Sequence, residues 1–179
     1  MGDYTKWRFA NALIDIMLHK PFEKITVKDI CDHCHERRQG FYYHFRDKYD
    51  LVTWIYYQDA SQIIETHKDE SWDVVLEKIF ENMLKHKSFY RNAFEENSQN
   101  VLIDYLVEHD ILIYEKKFKE SMQIKKLDAS LTFAIKYHAY ACANIFKNWL
   151  NSESNTSPKE LATMMFLNMP TQLREATLK

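Results

Sequence analysis

The chain has 179 residues with a formal net charge of −2 and a pI near 6.4, so its overall charge does not attract nucleic acid. It contains only two glycines and three prolines, too few turn formers for a β-sheet protein or a Rossmann-type fold. Three cysteines without a signal peptide, and no apolar run of about 18 residues, predict a reduced, cytoplasmic protein that does not span a membrane. The composition therefore predicts an all-α protein with long helices.

One longer helix and two short ones are predicted at the start of the chain. Apolar residues at helical spacing predict a first helix over about residues 3–19, which ends before Pro21. Thr26 is predicted to cap a second helix, because Asp29 three residues later completes a capping box. A tight turn at residues 35–36 leads into the third helix. This order predicts a helix-turn-helix, whose second helix enters the DNA major groove, although an ordinary helical hairpin has the same pattern.

The stretch 37–48, RRQGFYYHFRDK, is the most informative part of the sequence. On a helix, Phe41 and Phe45 are four residues apart and share a core-facing side, which leaves basic and hydrogen-bonding residues on the other. The stretch has four basic residues against one acid, a small basic patch on a mildly acidic body. Gly40 costs about 1 kcal/mol relative to alanine inside a helix. Its presence indicates either close approach to a partner such as DNA or tight packing against another helix.

Longer helices are predicted for the rest of the chain. Asp47 is predicted to cap a helix that runs to about Thr66, and Ser71 to cap the next. A further helix is predicted over about residues 99–122, followed by one over 127–150 that is rich in alanine and aromatic residues. Residues 157–160, Ser-Pro-Lys-Glu, predict the start of another helix, with a serine cap, proline first and glutamate third.

The first 55 residues resemble the TetR family of transcriptional regulators. The resemblance rests on Ile25-Thr26-Val27-Lys28-Asp29-Ile30 followed by Phe41-Tyr42-Tyr43-His44-Phe45-Arg46-Asp47-Lys48. It implies a three-helix DNA-binding domain over residues 1–47 and a larger helical bundle for regulation and dimerisation over 48–179. It also implies a homodimer through residues 127–150 and 158–175, which reads a pseudo-palindromic operator in double-stranded DNA.

The resemblance also implies roles for individual residues. Expected contacts to the DNA backbone come from donor groups on Thr26, Tyr42, Tyr43, His44 and Lys48. Candidates for contacts to base edges are Arg37, Arg38 and Gln39, where one of the two arginines can reach a phosphate instead, and Gly40 is expected to permit close approach. Two residues depart from the family pattern: His35 stands where a turn glycine is usual, and Arg37 where a small hydroxyl residue is usual. His35 is therefore expected to adopt a left-handed or strained conformation.

The second domain is expected to respond to a small-molecule effector or to a partner protein. The second alternative follows from Arg37-Arg38-Gln39 and downstream aromatic residues, which resemble a subgroup that includes the activator of a dihydroxyacetone-kinase operon. Candidates for an effector pocket, with plain core as the alternative, are Tyr105, His109, Tyr137 and His138.

Neither catalysis nor a metal cofactor is predicted. The sequence contains no nucleophile motif, phosphate-binding loop or HExxH, so an enzyme is not expected. Cysteine and histidine are dense around the second helix, at Cys31, His33, Cys34 and His35. Because Cys31 and Cys34 share the inner face of a helix while His33 points away, we interpret the cluster as structural, with zinc binding as the alternative.

Overall fold

The computed structural model describes residues 2–94, 101–153 and 155–177, and all regular secondary structure in these ranges is helical. The helices are α1 Gly2–Met17, α2 Val27–His33, α3 Arg38–His44, α4 Lys48–Thr66, α5 Trp72–Lys85, α6 Lys87–Phe94, α7 Val101–Met122, α8 Ala129–Asn151, α9 Pro158–Leu167 and α10 Thr171–Thr177. A short 3-10 turn, Phe22–Lys24, connects α1 to α2. The all-α prediction is confirmed. Within the described ranges, no helix is both long and apolar enough to cross a membrane.

The chain forms two compact units. The first comprises residues 1–58 and 86–105, and the second comprises residues 59–85 and 106–179. The first unit thus contains α1, α2 and α3, the beginning of α4, α6, and residues 101–105 of α7. A functional boundary between residues 47 and 48 stays a prediction.

An aromatic cluster forms the core of the first unit. Phe9 of α1 lies edge-on to Phe41 of α3, with ring centroids 5.2 Å apart, and Phe41 lies 5.6 Å from Phe45. All three side chains are buried. Since burying a Phe side chain is worth roughly 1.5–3 kcal/mol, this cluster fixes α3 against α1 and leaves the opposite side of α3 to solvent.

The second unit is built around aromatic residues of α5 and α8. Phe80 stacks on Phe146 with centroids 5.3 Å apart, and Trp149 lies 5.9 Å from Phe80. The indole Nε1 of Trp149 donates a hydrogen bond to the Thr156 carbonyl oxygen at 2.8 Å, which ties the connection between α8 and α9 to this core. α9 packs along α5, and α10 contacts α8.

Capping side chains set several of the helix ends. At α9, the Glu160 amide donates to Ser157 Oγ at 3.2 Å and the Ser157 amide donates to Glu160 Oε2 at 2.8 Å. This is the predicted capping box. At α4, the amides of Tyr49 and Asp50 donate to Asp47 Oδ1 at 2.9 and 3.0 Å. The predicted starts of α4 and α9 are therefore confirmed.

Candidate nucleic-acid interface

Helix α3 has the two faces that its sequence predicts. Phe41 is fully buried and Phe45, directly after the helix, is 3% exposed, whereas Tyr43 is 83% exposed. With roughly 100° of rotation per residue, Gln39 and Tyr43 occupy the centre of the solvent-facing side. Arg38 with Tyr42 forms one flank of that side, and Gly40 with His44 forms the other.

Side chains on the exposed face are arranged in contacting pairs. The Arg38 guanidinium lies 5.8 Å from the centre of the Tyr42 ring, and Arg38 Nη2 donates a hydrogen bond to the Tyr42 hydroxyl at 3.4 Å. The Tyr43 and His44 rings meet edge-on at 4.9 Å. Arg37, which precedes the helix, and Gln39 are exposed. The surface therefore offers hydrogen-bond donors and positive charge, the groups that contact phosphates and base edges.

Gly40 does not pack against another helix. A Cβ atom built at this position meets no described atom within 4 Å, and the glycine does not have a positive φ. Tight packing, one of the two explanations left open by the sequence, thus has no support among the described residues. Close approach to a partner such as DNA, the other explanation, stays a prediction.

The turn between α2 and α3 is a Schellman motif. His35 has φ 55°, as its place in the usual glycine position predicts. The His35 amide donates to the Asp32 carbonyl at 3.3 Å, and the Glu36 amide donates to the Cys31 carbonyl at 2.9 Å. Both bonds are those of the motif, in which the residue after the helix is left-handed.

Arg8 of α1 contacts residues on both sides of this turn. Its guanidinium forms an ion pair with Glu36 and donates to the Cys34 carbonyl at the end of α2. An arginine in an amphipathic helix carries no local signal for such a partner, so sequence reasoning missed it. The contact connects α1 to both sides of the turn and so fixes the angle at which α3 leaves α2.

Thr26 caps α2 as predicted. The Asp29 amide donates to Thr26 Oγ1 at 3.2 Å, and the Thr26 amide donates to Asp29 Oδ2 at 2.8 Å. Lys20 Nζ also donates to Asp29 Oδ2 at 2.9 Å. This lysine and the Thr26 bonds lower the pKa of Asp29 to about 2. Thr26 itself is exposed at the start of α2.

Lys48 lies on the 3-10 turn. Its ammonium donates to the carbonyls of Phe22 at 2.8 Å and Glu23 at 3.2 Å, and it sits 4.4 Å from the centre of the Phe22 ring. These contacts connect the first turn of α4 to the segment before α2. Any contact of Lys48 with DNA has to coexist with them.

A second supporting residue missed from the sequence is Asn92 of α6. Its Oδ1 accepts from the Phe22 amide at 2.8 Å, and its Nδ2 donates to the Met17 carbonyl at 3.2 Å and the Lys20 carbonyl at 3.3 Å. Asn92 thus satisfies backbone groups that are left open where α1 ends. Its partners are about 70 residues away in the chain, and no pattern around Asn92 indicates them.

The four predicted pocket residues have different environments. Tyr105 belongs to the first unit, where its hydroxyl donates to Asp47 Oδ2 at 2.6 Å. Tyr137 is 66% exposed, whereas His138, the next residue on α8, is buried. His109 is partly buried, and desolvation lowers its pKa to about 4. A common pocket for the four stays a prediction.

His138 belongs to a buried polar group in the second unit. Its ring lies 5.4 Å from that of Tyr114, and its Nε2 lies 3.4 Å from Cys142 Sγ. Burial lowers the pKa of His138 to about 4, so the imidazole is neutral at physiological pH, and raises the pKa of Asp110 on α7 to about 7. Asp110 is also the second cause, after burial, that raises the pKa of the Cys142 thiol to about 12.

An open cavity of about 280 Å³ lies elsewhere in the second unit. It is lined mainly by polar side chains of α4 and α5: Asp59, Gln62, Ile63, Thr66, His67 and Asn82. Asn82 Nδ2 donates to Asp59 Oδ2 at 3.2 Å across it. None of the four predicted pocket residues belongs to this lining.

The cysteines and histidines of α2 are dispersed. Cys31 is buried, and Cys34 Sγ donates to the Ile30 carbonyl at 3.1 Å. His33 is exposed, with Nε2 3.5 Å from Asp15. Across the described ranges, no group of three or more His, Cys, Asp or Glu side chains is placed to hold a metal ion.

Short helices joined by a tight turn, with a buried aromatic back and an exposed polar front, define a helix-turn-helix protein. A family model described as "Bacterial regulatory proteins, tetR family" matches residues 11–53, and one described as "Transcriptional regulator C-terminal region" matches residues 70–170. The second model alone spans more than half of the chain. The chain belongs to the TetR family of transcriptional regulators.

Individual relatives agree with this family. The chain is 28% identical over 144 residues to the HTH-type dhaKLM operon transcriptional activator DhaS of Lactococcus lactis subsp. lactis (strain IL1403), covering 78% of this chain and 76% of that protein. It is similar in fold to a solved dihydroxyacetone kinase operon activator DhaS, with TM-score 0.59, 20% identity, and coverage of 96% and 97%. A TetR regulator from Streptococcus agalactiae 2603V gives TM-score 0.58, 19% identity and 92% coverage of both chains.

Proposed function

We propose that this protein is a dimeric, sequence-specific DNA-binding regulator that reads each operator half-site with α3. The observation that carries the proposal is the exposed face of α3, where Gln39 and Tyr43 stand at the centre and Arg38 stands beside them. Phe41 and Phe45 hold the opposite face in the core. The side chains that project are therefore positioned by a packed scaffold, as a reader of the major groove requires.

We assign the contacts of the exposed side chains of α3 by their hydrogen-bonding chemistry. Gln39 and Arg38 contact base edges, since glutamine pairs with adenine and arginine with guanine through two hydrogen bonds each. Tyr42, Tyr43 and His44 donate to phosphates, together with Arg37 before α3. Thr26 joins them only when its hydroxyl turns away from Asp29 Oδ2, to which it donates at 2.8 Å. Gly40 leaves room on the flank that it shares with His44.

For Lys48 we propose a supporting role. Its ammonium is already bonded to two carbonyls of the 3-10 turn, at 2.8 and 3.2 Å. Only the third N–H of the ammonium is left for a phosphate, and the two carbonyl bonds fix where it points. The phosphate contact expected from the family resemblance is thus less favoured than a role in holding α4 against this turn.

Selection of duplexes from a random pool tests the DNA-reading role. We expect the wild-type protein to enrich a pseudo-palindromic sequence. Gln39→Ala and Arg38→Ala are expected to change the preferred bases, each lost bidentate contact costing about 1–3 kcal/mol of discrimination. Tyr43→Phe is expected to weaken binding to all DNA sequences by a similar factor. Lys126→Ala, an exposed cation of the second unit, is the control; failure of the wild type to enrich any sequence contradicts the proposal.

The outer face of α8 supports a dimer through α8 and α9. Phe133, Tyr137 and Tyr140 are 70%, 66% and 49% exposed and lie at helical spacing on one stripe, and Phe133 stacks on Tyr137 at 6.2 Å. On α9, Met164 and Leu167 are 49% and 60% exposed. Several exposed apolar side chains on two consecutive helices are typical of a protein–protein interface. A second copy of the chain is the occupant that a two-half-site operator requires.

Light scattering after size exclusion tests the dimer. Phe133→Asp is expected to produce monomers, because it places a charge in an apolar interface. Leu112→Asp changes a residue of similar exposure on α7, 65%, and is expected to leave the dimer intact. Equal dimerisation of wild type and Phe133→Asp contradicts the assigned face.

For regulation we propose control through the second unit, by a small ligand or a partner protein. The buried group around His138 and the polar cavity near Asp59 support a ligand with hydroxyl groups. The similarity to a protein named as an activator of a dihydroxyacetone kinase operon makes dihydroxyacetone the first probe. A change in operator affinity on its addition supports the small-ligand form, and an unchanged affinity favours the partner-protein alternative.

A further inference from the structure

Tyr105 lies at the joint between the recognition helix and α4. Only Phe45, Arg46 and Asp47 separate the end of α3 from the start of α4. The Tyr105 hydroxyl donates to Asp47 Oδ2 at 2.6 Å, although the two residues are 58 positions apart. A hydrogen bond of this length to a carboxylate belongs to the strong, charge-assisted class.

Asp47 uses its two oxygens for different helices. Its Oδ1 caps α4 by accepting from the amides of Tyr49 and Asp50 at 2.9 and 3.0 Å. Its Oδ2 accepts from Tyr105 of α7. One carboxylate therefore connects α7 to the first turn of α4, next to the residues that end α3.

Arg46 forms the other half of the joint. Its guanidinium lies 4.3 Å from the centre of the Tyr105 ring, a cation–π contact. Its amide donates to Asp50 Oδ2 at 2.9 Å. Tyr105 thus holds two consecutive residues, one through its hydroxyl and one through its ring.

We propose that Tyr105 is a positioning residue for DNA binding, which holds the joint 45–47 so that α3 presents its exposed face in the binding orientation. Tyr42, Tyr43 and His44 lie within five residues of Asp47, so rotation at the joint moves the proposed phosphate contacts directly. α7 continues from Tyr105 into the second unit, which includes the helix from residue 106 onward. A ligand or partner that displaces α7 therefore acts on the DNA-reading helix through Tyr105. This inference rests on the proposed DNA-reading function.

A double-mutant cycle on operator affinity tests the inference with the full-length chain. Tyr105→Phe removes the hydroxyl and keeps the ring over Arg46. Asp47→Ser keeps a side chain that caps α4 well and removes the second oxygen. We expect each variant to bind the selected operator at least about fivefold more weakly, the lower end of typical coupling between sites. We expect the double variant to be no weaker than the weaker single variant, since both changes remove the same bond.

Controls separate positioning from loss of fold. Tyr90→Phe removes the hydroxyl of a buried tyrosine in the same unit and is expected to keep wild-type affinity. Affinities are measured well below the melting temperature, with helix content checked by circular dichroism. Wild-type affinity of Tyr105→Phe, or additive losses in the double variant, overturns the inference. A wild-type protein that binds no DNA sequence selectively overturns the proposed function, and the inference with it.

Discussion

Replacing Gly40 by alanine is expected to change the stability of the fold and the affinity for DNA in opposite directions. The added Cβ meets nothing within 4 Å in the described structure, and the glycine backbone is not in the left-handed region. Gly40 is the third residue of α3. Alanine in a helix is favoured over glycine by roughly 0.5–1 kcal/mol. We expect Gly40→Ala to stabilise the folded protein by this amount.

The expected effect on DNA binding has the opposite sign. The new methyl group projects from the flank of α3 that Gly40 shares with His44, where we propose that the helix approaches the DNA backbone. Displacing one hydrogen bond to a charged phosphate costs about 1.5–3 kcal/mol, at least a tenfold loss of affinity. We therefore expect a more stable protein that binds its selected operator about tenfold more weakly, and Gly40→Leu to bind more weakly still.

Two measurements decide the outcome. Thermal unfolding should show a melting temperature higher by roughly 1–4 °C, given about 2–4 °C per kcal/mol for a chain of this size. Fluorescence anisotropy with labelled operator should show the loss of affinity. Ser61→Ala raises helix propensity at an exposed position of α4 and is expected to stabilise the fold without changing affinity. If Gly40→Ala destabilises the protein, the conclusion that no neighbour packs against Gly40 is wrong. If its affinity for the operator is unchanged, the proposed close approach of Gly40 to DNA is wrong.

Three other substitutions test the scaffold. Lys48→Met should lower stability by about 1 kcal/mol, because the ammonium bonds to two carbonyls. It should leave the salt dependence of DNA binding unchanged; a slope shallower by about 0.9 per subunit, or roughly 1.8 for the proposed dimer, indicates a phosphate contact. His35→Gly should raise the melting temperature, since a left-handed residue costs about 1–2 kcal/mol when it is not glycine; a lower value contradicts this. Asp29, with its pKa lowered to about 2, stabilises the fold above its unfolded pKa of about 3.9, and this is lost as the pH falls toward 2. The difference in melting temperature between wild type and Asp29→Asn should therefore shrink from pH 5 to pH 2, and a constant difference refutes the linkage.

Local signals predicted the secondary structure closely. The box of Thr26 with Asp29 and the box of Ser157 with Glu160 act within one helical turn, so the residues that start α2 and α9 are adjacent in sequence to those they cap. The first helix, predicted over 3–19, ends at Met17. Few side chains set the end of this helix before Pro21, so a difference of two residues is expected there.

The face of α3 was also predictable, whereas the contacts of Tyr105 and Lys48 were not. Phe41 and Phe45 are four residues apart, and that spacing alone assigns the buried side. Tyr105 was grouped with His109, Tyr137 and His138 because aromatic and titratable residues on helices are common in pockets. The structure places its hydroxyl on Asp47, and a pocket role stays a prediction. A tyrosine that lines a pocket and one that bonds to a distant carboxylate have the same local pattern.

The sequence by itself determined the helices, their caps and the polar face of α3, because these depend on residues within about four positions of one another. Tertiary structure decided which side chains support that helix. Arg8 reaches Glu36, Asn92 reaches the end of α1, and Tyr105 reaches Asp47. Such contacts depend on how the helices pack in three dimensions, and helical periodicity records which face is buried but not which residue lies opposite it.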